Sequence, residues 1–399
     1  MNNKVVLAYS GGLDTSYCVK YLTEEKKLDV YAITVNTGGF SDEQLKAIET
    51  RAKQLGVKAF IVRDVVHEYY EQCIKYLIFG NVLKNNTYPL SVSAERVFQA
   101  IAVADYAKEI GAAYIAHGST GAGNDQVRFD MVFNIVLPDA TIITPIRDNQ
   151  LSREEEIDYL KKYGVEIDAQ KAAYSINQGI WGTSVGGKET LTSRNNLPEN
   201  AYPTQLSKTD ISEYVIEFEK GEPVALNGKR YEHPTALIIE LNNFASAYAI
   251  GRDTHVGDTI IGIKGRVGFE AAAPLIIIKA HHLLEKHTLT KQQLFWKDQL
   301  SNVYGSNLHE GLFYEPLMRD LEAFLQNTQQ QVSGKVFIQL QPYRFELIGI
   351  ESPYDLMSAK FGSYGEMNNA WSGDDVKGFA KIFSNQMMIW KKVNETNNQ

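Results

Sequence analysis

Only two cysteines, Cys18 and Cys73, occur in the 399 residues, and neither sits in a CxxC or Cys/His spacing. That scarcity argues against a disulfide framework and a thiolate zinc site, and it fits a reducing cytoplasm. Long apolar runs are missing too: no uninterrupted stretch approaches the roughly 18 residues of a membrane span. The amino terminus has a short apolar run with no small-residue cleavage pattern, so a soluble, unprocessed chain is expected. Basic residues fall short of acidic ones, 40 against 48, for a formal net charge of −8. This deficit argues against general nucleic-acid or anionic-membrane binding and favours small-molecule chemistry. Repeats and low-complexity linkers are also lacking, and the length predicts two or three domains with a sizeable core.

What is present begins with VVLAYSGGLDTS, residues 5–16. The apolar run Val5, Val6, Leu7 predicts a buried strand, and Ser10-Gly11-Gly12 a sharp turn into a helix starting near Asp14. Two glycines let backbone N–H groups approach an anion, and the positive end of the helix points at the same place. Ser10, Thr15 and Ser16 add hydroxyls. A loop rich in donors but without lysine suits a polyphosphate that brings its own Mg²⁺. The plainer alternative is a glycine turn with Asp14 as a helix cap. The complete pattern from Ser10 to Ser16 resembles the pyrophosphate loop of the N-type ATP pyrophosphatases, which cleave ATP to AMP and pyrophosphate and activate a substrate oxygen as an adenylate.

Alternation continues to about residue 146. Strands are expected at 29–36, 59–62, 114–116 and 141–146, with helices at 17–26, 42–55, 68–79, 93–110 and 126–136. That order predicts a doubly wound parallel sheet with ligands at the carboxyl ends of its strands. The texture changes over 164–175. Beyond it a hairpin around Gly221-Glu222-Pro223, helices at 234–250, 274–284 and 312–324, and strands at 259–263, 335–341 and 345–350 read as α+β. A last helix carries Val376, Phe379, Phe383, Met387 and Trp390 on one stripe, and its polar NETNNQ tail is expected to be disordered. Amphipathicity alone favours packing of that stripe on its own domain. The expected fold is therefore α/β, with an ATP-pyrophosphatase domain over 1–168, an α+β synthetase domain over 169–372 and a C-terminal helix over 373–399.

A second donor-rich string, AHGSTGAGNDQVRF at 116–129, follows the strand at 114–116 and should face the first loop. Amides around Gly118, Gly121 and Gly123 suit a phosphate or ribose, while Asn124, Asp125 and Arg128 offer an amide, an anion and a cation to an amino acid. A capped helix start explains only part of it, and Gln126 in place of a third glycine weakens a dinucleotide reading. With Tyr88-x-Leu90-x-x-Ser93, Tyr174-Ser175 and Ser184, the chain is similar over essentially its full length to the argininosuccinate synthase family. That resemblance implies condensation of citrulline with aspartate, using MgATP, to argininosuccinate, AMP and pyrophosphate. It also implies a homotetramer joined partly through the C-terminal helix. Carried over by position, it implies ATP on Ala8, Tyr9, Ser10, Gly11, Gly12, Leu13, Asp14, Thr15 and Ser16, with Val35 near the adenine and Gly118 near the nucleotide. Aspartate would meet Thr120, Asn124 and Asp125. Citrulline would meet Tyr88, Ser93, Asn124, Arg128, Ser175 and Ser184. Asp14 and Arg128 are the catalytic candidates, positioning and stabilising charge rather than attacking, and no metal besides Mg²⁺ is expected.

Departures from the family pattern cluster at the citrulline end. Ser91-Val92 replace Gly-Thr, Asn177-Gln178-Gly179 replace Asp-x-Asn, and Gly257 and Phe269 stand where the family has Glu and Tyr contacting citrulline. Asn36-Thr37-Gly38-Gly39 and Ala122 differ as well. If the substrate's ammonium has lost its partner, either Asp258 or Glu270 substitutes for it, or the amine is acylated and uses the volume freed at Gly257; plain citrulline is favoured. Gly182 to Lys188 fits G-x-x-x-x-G-K, but Glu189 occupies the hydroxyl position of that motif, so a substrate loop is expected instead. His117 and His281-His282 read as structural. Two further alternatives are a tRNA-thiolating ATP pyrophosphatase, disfavoured by the negative charge and the lack of a cysteine pair, and a non-catalytic nucleotide sensor.

Overall fold

A computed structural model describes residues 2–165, 174–357, 364–365 and 370–397. Two compact units are present, Met1–Pro353 and Tyr354–Gln399.

The first unit opens with β1 (Lys4–Ala8), α1 (Leu13–Lys20), β2 (Asp29–Asn36), α2 (Asp42–Leu55) and β3 (Ala59–Asp64). Next come α3 (Val66–Tyr69), α4 (Lys75–Phe79), α5 (Ser91–Glu109), β4 (Tyr114–Ala116), α6 (Asp125–Val136), β5 (Thr141–Ile143), α7 (Pro145–Asp148) and α8 (Arg153–Lys161). All five strands are parallel, in the order β3-β2-β1-β4-β5. Alternate residues of β1 face opposite layers. Val5 and Leu7 pack with Tyr17, Val19, Leu55 and Leu160 on one side, and Val6 joins the large core under α5 on the other. The sheet is thus doubly wound, as the alternation predicts. The strand expected over 141–146 stops at Ile143 because Pro145 opens α7. The helix expected over 68–79 contains a π-turn, Tyr70–Ile74, between α3 and α4. The texture change expected over 164–175 lies mostly outside the described residues.

Beyond it run β6 (Ser175–Gly179), β7 (Gly182–Gly186), β8 (Ser212–Glu219), β9 (Glu222–Leu226), β10 (Lys229–Arg230), α9 (Pro234–Ser246), β11 (Arg252–Asp258) and β12 (Lys264–Glu270). Helices α10 (Ala272–Thr288), α11 (Lys291–His309) and α12 (Pro316–Thr328) precede β13 (Gly334–Gln341) and β14 (Arg344–Glu351). Two antiparallel sheets result, β10-β9-β8-β13-β14 and β11-β12-β7-β6. Two expectations fail here, and a third holds with a shorter turn. Residues 259–263 form the turn between β11 and β12, closed by Thr259 N–H on the Ile263 carbonyl at 2.7 Å. The Walker-like string is no loop, because Gly182–Gly186 is the strand β7. Finally, the hairpin expected around Gly221 does form, β8 against β9, but its turn is Lys220-Gly221 alone, since Glu222 and Pro223 already begin β9.

The smaller sheet is locked to the parallel sheet. Ile180 N–H donates to the Thr37 carbonyl at 2.8 Å, and a Cβ on Gly39 would collide with the Gln178 carbonyl. Glycine is required there by close approach of two backbones. In the second unit the expected single helix is two, α13 (Gly373–Phe383) and α14 (Asn385–Asn397), so Asn394 to Asn397 of the tail is helical, not disordered.

Candidate active site

β1 delivers the chain into its loop at the carboxyl edge of the sheet. Gly11 has a φ of +76°, and a Cβ there would come within 2.9 Å of Ile48, so only glycine fits without strain. Gly12 is the N-cap of α1, and no side chain caps that helix, which leaves its first-turn amides open to an anion. The hydroxyls of Ser10 and Thr15 lie 3.2 Å apart at the mouth. Ser16 is buried, its Oγ without a hydrogen-bond partner among the described residues. Tyr9, behind the loop, has its phenol pushed up by burial. The cation missing from the loop sequence comes from α2, where Arg51 Nη1 donates to the Gly11 carbonyl at 2.9 Å.

Asp14 is not a cap. Its charged neighbours are Glu156 and Arg153 of α8; burial raises its carboxyl, and burial together with Asp14 pushes Glu156 up to about 8. Burial and mutual repulsion favour a proton held between the two carboxyls, and Arg153 opposes it. Val35 is buried on β2 beside the loop. Gly118, following β4, faces the first turn of α1: a Cβ there would lie 3.3 Å from Thr15 Cγ2 and 3.4 Å from the Asp14 carbonyl carbon. The two donor-rich loops therefore meet between β1 and β4, where the strand order reverses.

The other predicted residues gather beside this crevice. Tyr88 packs against Phe269, and its hydroxyl accepts from Val92 N–H at 3.0 Å and Ser91 Oγ at 3.2 Å. Ser93 is buried in the first turn of α5. Asn124 Oδ1 accepts from Ile260 N–H at 2.8 Å, so the β11–β12 turn rests on the second loop. Asp125 stands between two guanidiniums, with Oδ2 on Arg96 Nε at 3.0 Å and Oδ1 on Arg128 Nη1 at 2.9 Å. Burial raises its carboxyl, but the two arginines outweigh that and hold it below the ordinary range. Arg128 also donates Nε and Nη2 to the His309 carbonyl, at 2.9 and 2.7 Å. Ser184 lies in register with Phe269 and Asn177, and Ser175 shares a face with Asn177 at the start of β6. Thr120 sits in the second loop, without a hydrogen bond among the described residues.

Two family models match the chain. One, the arginosuccinate synthase N-terminal HUP domain, covers residues 4–166; the other, the arginosuccinate synthase C-terminal domain, covers residues 174–390. The chain belongs to the argininosuccinate synthase family. Curated relatives named argininosuccinate synthase include those of Dictyoglomus turgidum, 39% identical with 97% of each chain covered, and Methanocaldococcus jannaschii, 36% identical with 98% of each covered. That of Sulfolobus acidocaldarius is 34% identical over 98% of this chain and 99% of its own.

Neither carboxylate expected to replace the family glutamate is available in this argininosuccinate synthase relative. Asp258 points to the exposed side of β11 and pairs with Lys264 at 2.5 Å. Glu270 is bound to Arg252 at 2.8 Å and Thr204 at 2.6 Å. Nor does Gly257 leave free volume, because a Cβ there would lie 2.5 Å from His255 Nε2. His117 and His281 are structural, as expected: His117 pairs with Asp130 at 2.9 Å, and His281 with Asn81 at 2.6 Å and Gln329 at 2.8 Å.

Sequence reading missed Arg51 and Arg96. Arg96 alone carried a signal, standing three residues after Ser93 on the same helical face.

Asp125→Asn is expected to lower stability by about 2 kcal/mol at pH 7. Arg128 and Arg96 are largely buried, while the carboxylate itself is 36% exposed and partly screened. A lowered carboxyl stabilises only above its unfolded value, here 3.8, and that stability is lost as pH falls through the folded value. Urea unfolding should thus separate the variant from the parent at pH 7 and bring the two together in acid. Equal midpoints at pH 7 would remove Asp125 as the anchor of the two arginines.

Proposed function

We propose that this chain catalyses the ATP-dependent ligation of citrulline and aspartate to argininosuccinate, releasing AMP and pyrophosphate. The observation that carries this reading is the meeting of an uncapped helix N-terminus with the Gly118 loop at the switch point of the sheet. ATP occupies residues 8–16 with Val35 and Gly118, its β- and γ-phosphates on the α1 amides and the Ser10, Thr15 and Ser16 hydroxyls. Arg51 adds charge behind them. Citrulline lies along Tyr88, Ser93, Asn124, Arg128, Ser175 and Ser184, its ureido oxygen toward the α-phosphorus. Aspartate lies on Thr120, Asn124 and Asp125.

Attack of the ureido oxygen on the α-phosphorus expels pyrophosphate and forms a citrulline adenylate. The aspartate amine then displaces AMP. Neither step needs a side-chain nucleophile, so the residues act by positioning and by compensating charge. Arg128 and Asp14 are the groups we assign to that compensation. Magnesium enters as MgATP, carried by the phosphates.

The same reading takes 1–168 as the nucleotide-binding domain, 169–372 as the synthetase, substrate and oligomerisation domain and 373–399 as the C-terminal helix and tail, which also joins subunits in a cytoplasmic homotetramer. Val376, Phe379, Phe383, Met387 and Trp390 are all exposed, and this supports burial against other copies. Among the described residues no helix is long and apolar enough to cross a membrane.

The test is AMP and pyrophosphate release from MgATP that requires both aspartate and a citrulline-type acceptor. ATP binding without pyrophosphate release under any such pair would favour a nucleotide sensor and overturn the proposal.

A further inference from the structure

Alternation along β11 turns His255 and Gly257 inward, toward Tyr88, and leaves Val256 and Asp258 outside. The His255 ring stacks on Tyr88 with centroids 5.1 Å apart, and His309 meets its edge at 6.4 Å. His255 is 5% exposed and His309 7%, and Nδ1 of each has no hydrogen-bond partner among the described residues. A buried imidazole nitrogen is costly to leave unpaired, so two side by side mark a site built for something else to fill. Nearby, Lys84 Nζ spends one of its three donors on Ser306 Oγ, at 3.0 Å, and has no carboxylate partner among the described residues.

The side-chain charges acting on the two imidazoles have one sign. Burial and then Lys84 hold His255 below its ordinary value. Burial, Arg128, Lys84 and His255 hold His309 at about 3, and only the Asp258 backbone opposes them. Both imidazoles are therefore neutral, and the side-chain charges acting on them are cationic. Asp125 is already divided between Arg96 and Arg128, and Asp258, the carboxylate that acts on Lys84, is paired with Lys264 on the outer side of β11. An ammonium brought here would meet Lys84 and Arg128 without a free anion, whereas a carboxylate would find one ammonium and two imidazoles able to donate once protonated.

We propose that Lys84, His255 and His309 form a pocket that receives a carboxylate of the ureido substrate. The assignment rests on the proposed ligation of a citrulline-type substrate. Two sources share the chemistry: the α-carboxylate of citrulline itself, or a carboxylate on an acyl group that masks its amine. Entry of the anion raises the proton affinity of both imidazoles, so binding takes up protons.

The test compares the parent with Lys84→Met and Lys84→Arg on citrulline, Nα-acetylcitrulline and Nα-succinylcitrulline. For the ligand whose carboxylate is held, Lys84→Met should raise KM about tenfold or more, the size of one charge-assisted contact. KM for ATP and aspartate should stay within twofold, and Lys84→Arg should restore most of the loss. Isothermal calorimetry of the parent in buffers of different ionisation enthalpy should show proton uptake with that ligand. A KM rise for all three ligands assigns the pocket to the α-carboxylate; a rise for the succinyl ligand alone assigns it to the acyl carboxylate. If Lys84→Met shifts no ureido KM beyond twofold, or if parent calorimetry detects no proton uptake with a ligand that binds, the pocket is not a carboxylate site. Absence of turnover by the parent with every acceptor would strike the proposed ligation instead, and calorimetry would still read the pocket.

Discussion

Replacing Gly12 by valine is expected to leave a folded chain whose pyrophosphate release from ATP falls by about a hundredfold or more. The two halves of that result have separate causes. Gly12 has an ordinary φ of −78°, and a Cβ there would touch only Ser10 Oγ, at 3.4 Å, so the resting fold accepts a side chain. Gly11 differs, since its positive φ and the wall formed by Ile48 would strain any other residue. What valine removes is access. The open amides of α1 and the Ser10 and Thr15 hydroxyls converge in front of residue 12, and a β-branched group holds a phosphate away from them. Losing one such preorganised donor costs about 10²–10³ in rate. The measurement is steady-state pyrophosphate release alongside a thermal melt. Parent-like turnover in a folded Gly12→Val chain would take the polyphosphate off this loop; a melt shifted far downward would show instead that the loop is structural.

The parallel sheet was legible because each of its signals is local. A strand of three to eight residues, a glycine stop and an apolar helical face recur from Val5 to Ile143, and each reports on its own neighbourhood. The same holds for the loop at Ser10 to Ser16, whose glycines and hydroxyls act through adjacent backbone. α11 went unread although Thr290 and Gln293 form a capping box that announces it, because the helix behind that cap lacks a clean apolar stripe. The strand expected over 259–263 failed for a different reason. Ile260, Ile261 and Ile263 are β-branched, yet they form the turn between two glycine-containing strands whose register is set by β7 across the sheet. The anion pocket was beyond sequence reading for the reason that hid Arg51: Lys84, His255 and His309 come from three distant segments, and only tertiary packing gives them a common electrostatic sign. Gly257 was readable as a missing glutamate. That His255 fills its space was not.

Glu95→Gln is expected to stabilise the chain by about 3 kcal/mol near pH 8.5 and by under about 1 kcal/mol at pH 5. Glu95 is 2% exposed in α5, and burial pushes its carboxyl up to about 7 from an ordinary 4.5, with Arg96 only partly opposing this. Arg96 is a poor counterion because it is already committed: its Nε holds Asp125 at 3.0 Å and its Nη2 holds Asn177 at 2.6 Å, leaving a long 3.3 Å contact to Glu95 Oε1. The other oxygen, Oε2, lies against Gly179 near Thr37 Oγ1, and neither atom has a hydrogen-bond partner among the described residues. Between pH 4.5 and about 7 the folded chain holds a proton that the unfolded chain has released, so stability falls as pH rises through that window and stays low above it. A difference of this size between the two proton affinities corresponds to about 3 kcal/mol. Glutamine mimics the protonated acid: its carbonyl can accept where Oε1 does, and its amide can donate toward Thr37. Urea unfolding of both chains at pH 5 and pH 8.5 measures the difference, and a gap of equal size at the two pH values would mean that Glu95 does not titrate in the folded chain. The turn at Thr37 and the edge of β6 at Gly179 close on this carboxyl, where the parallel sheet joins the strands that carry Ser175 and Ser184.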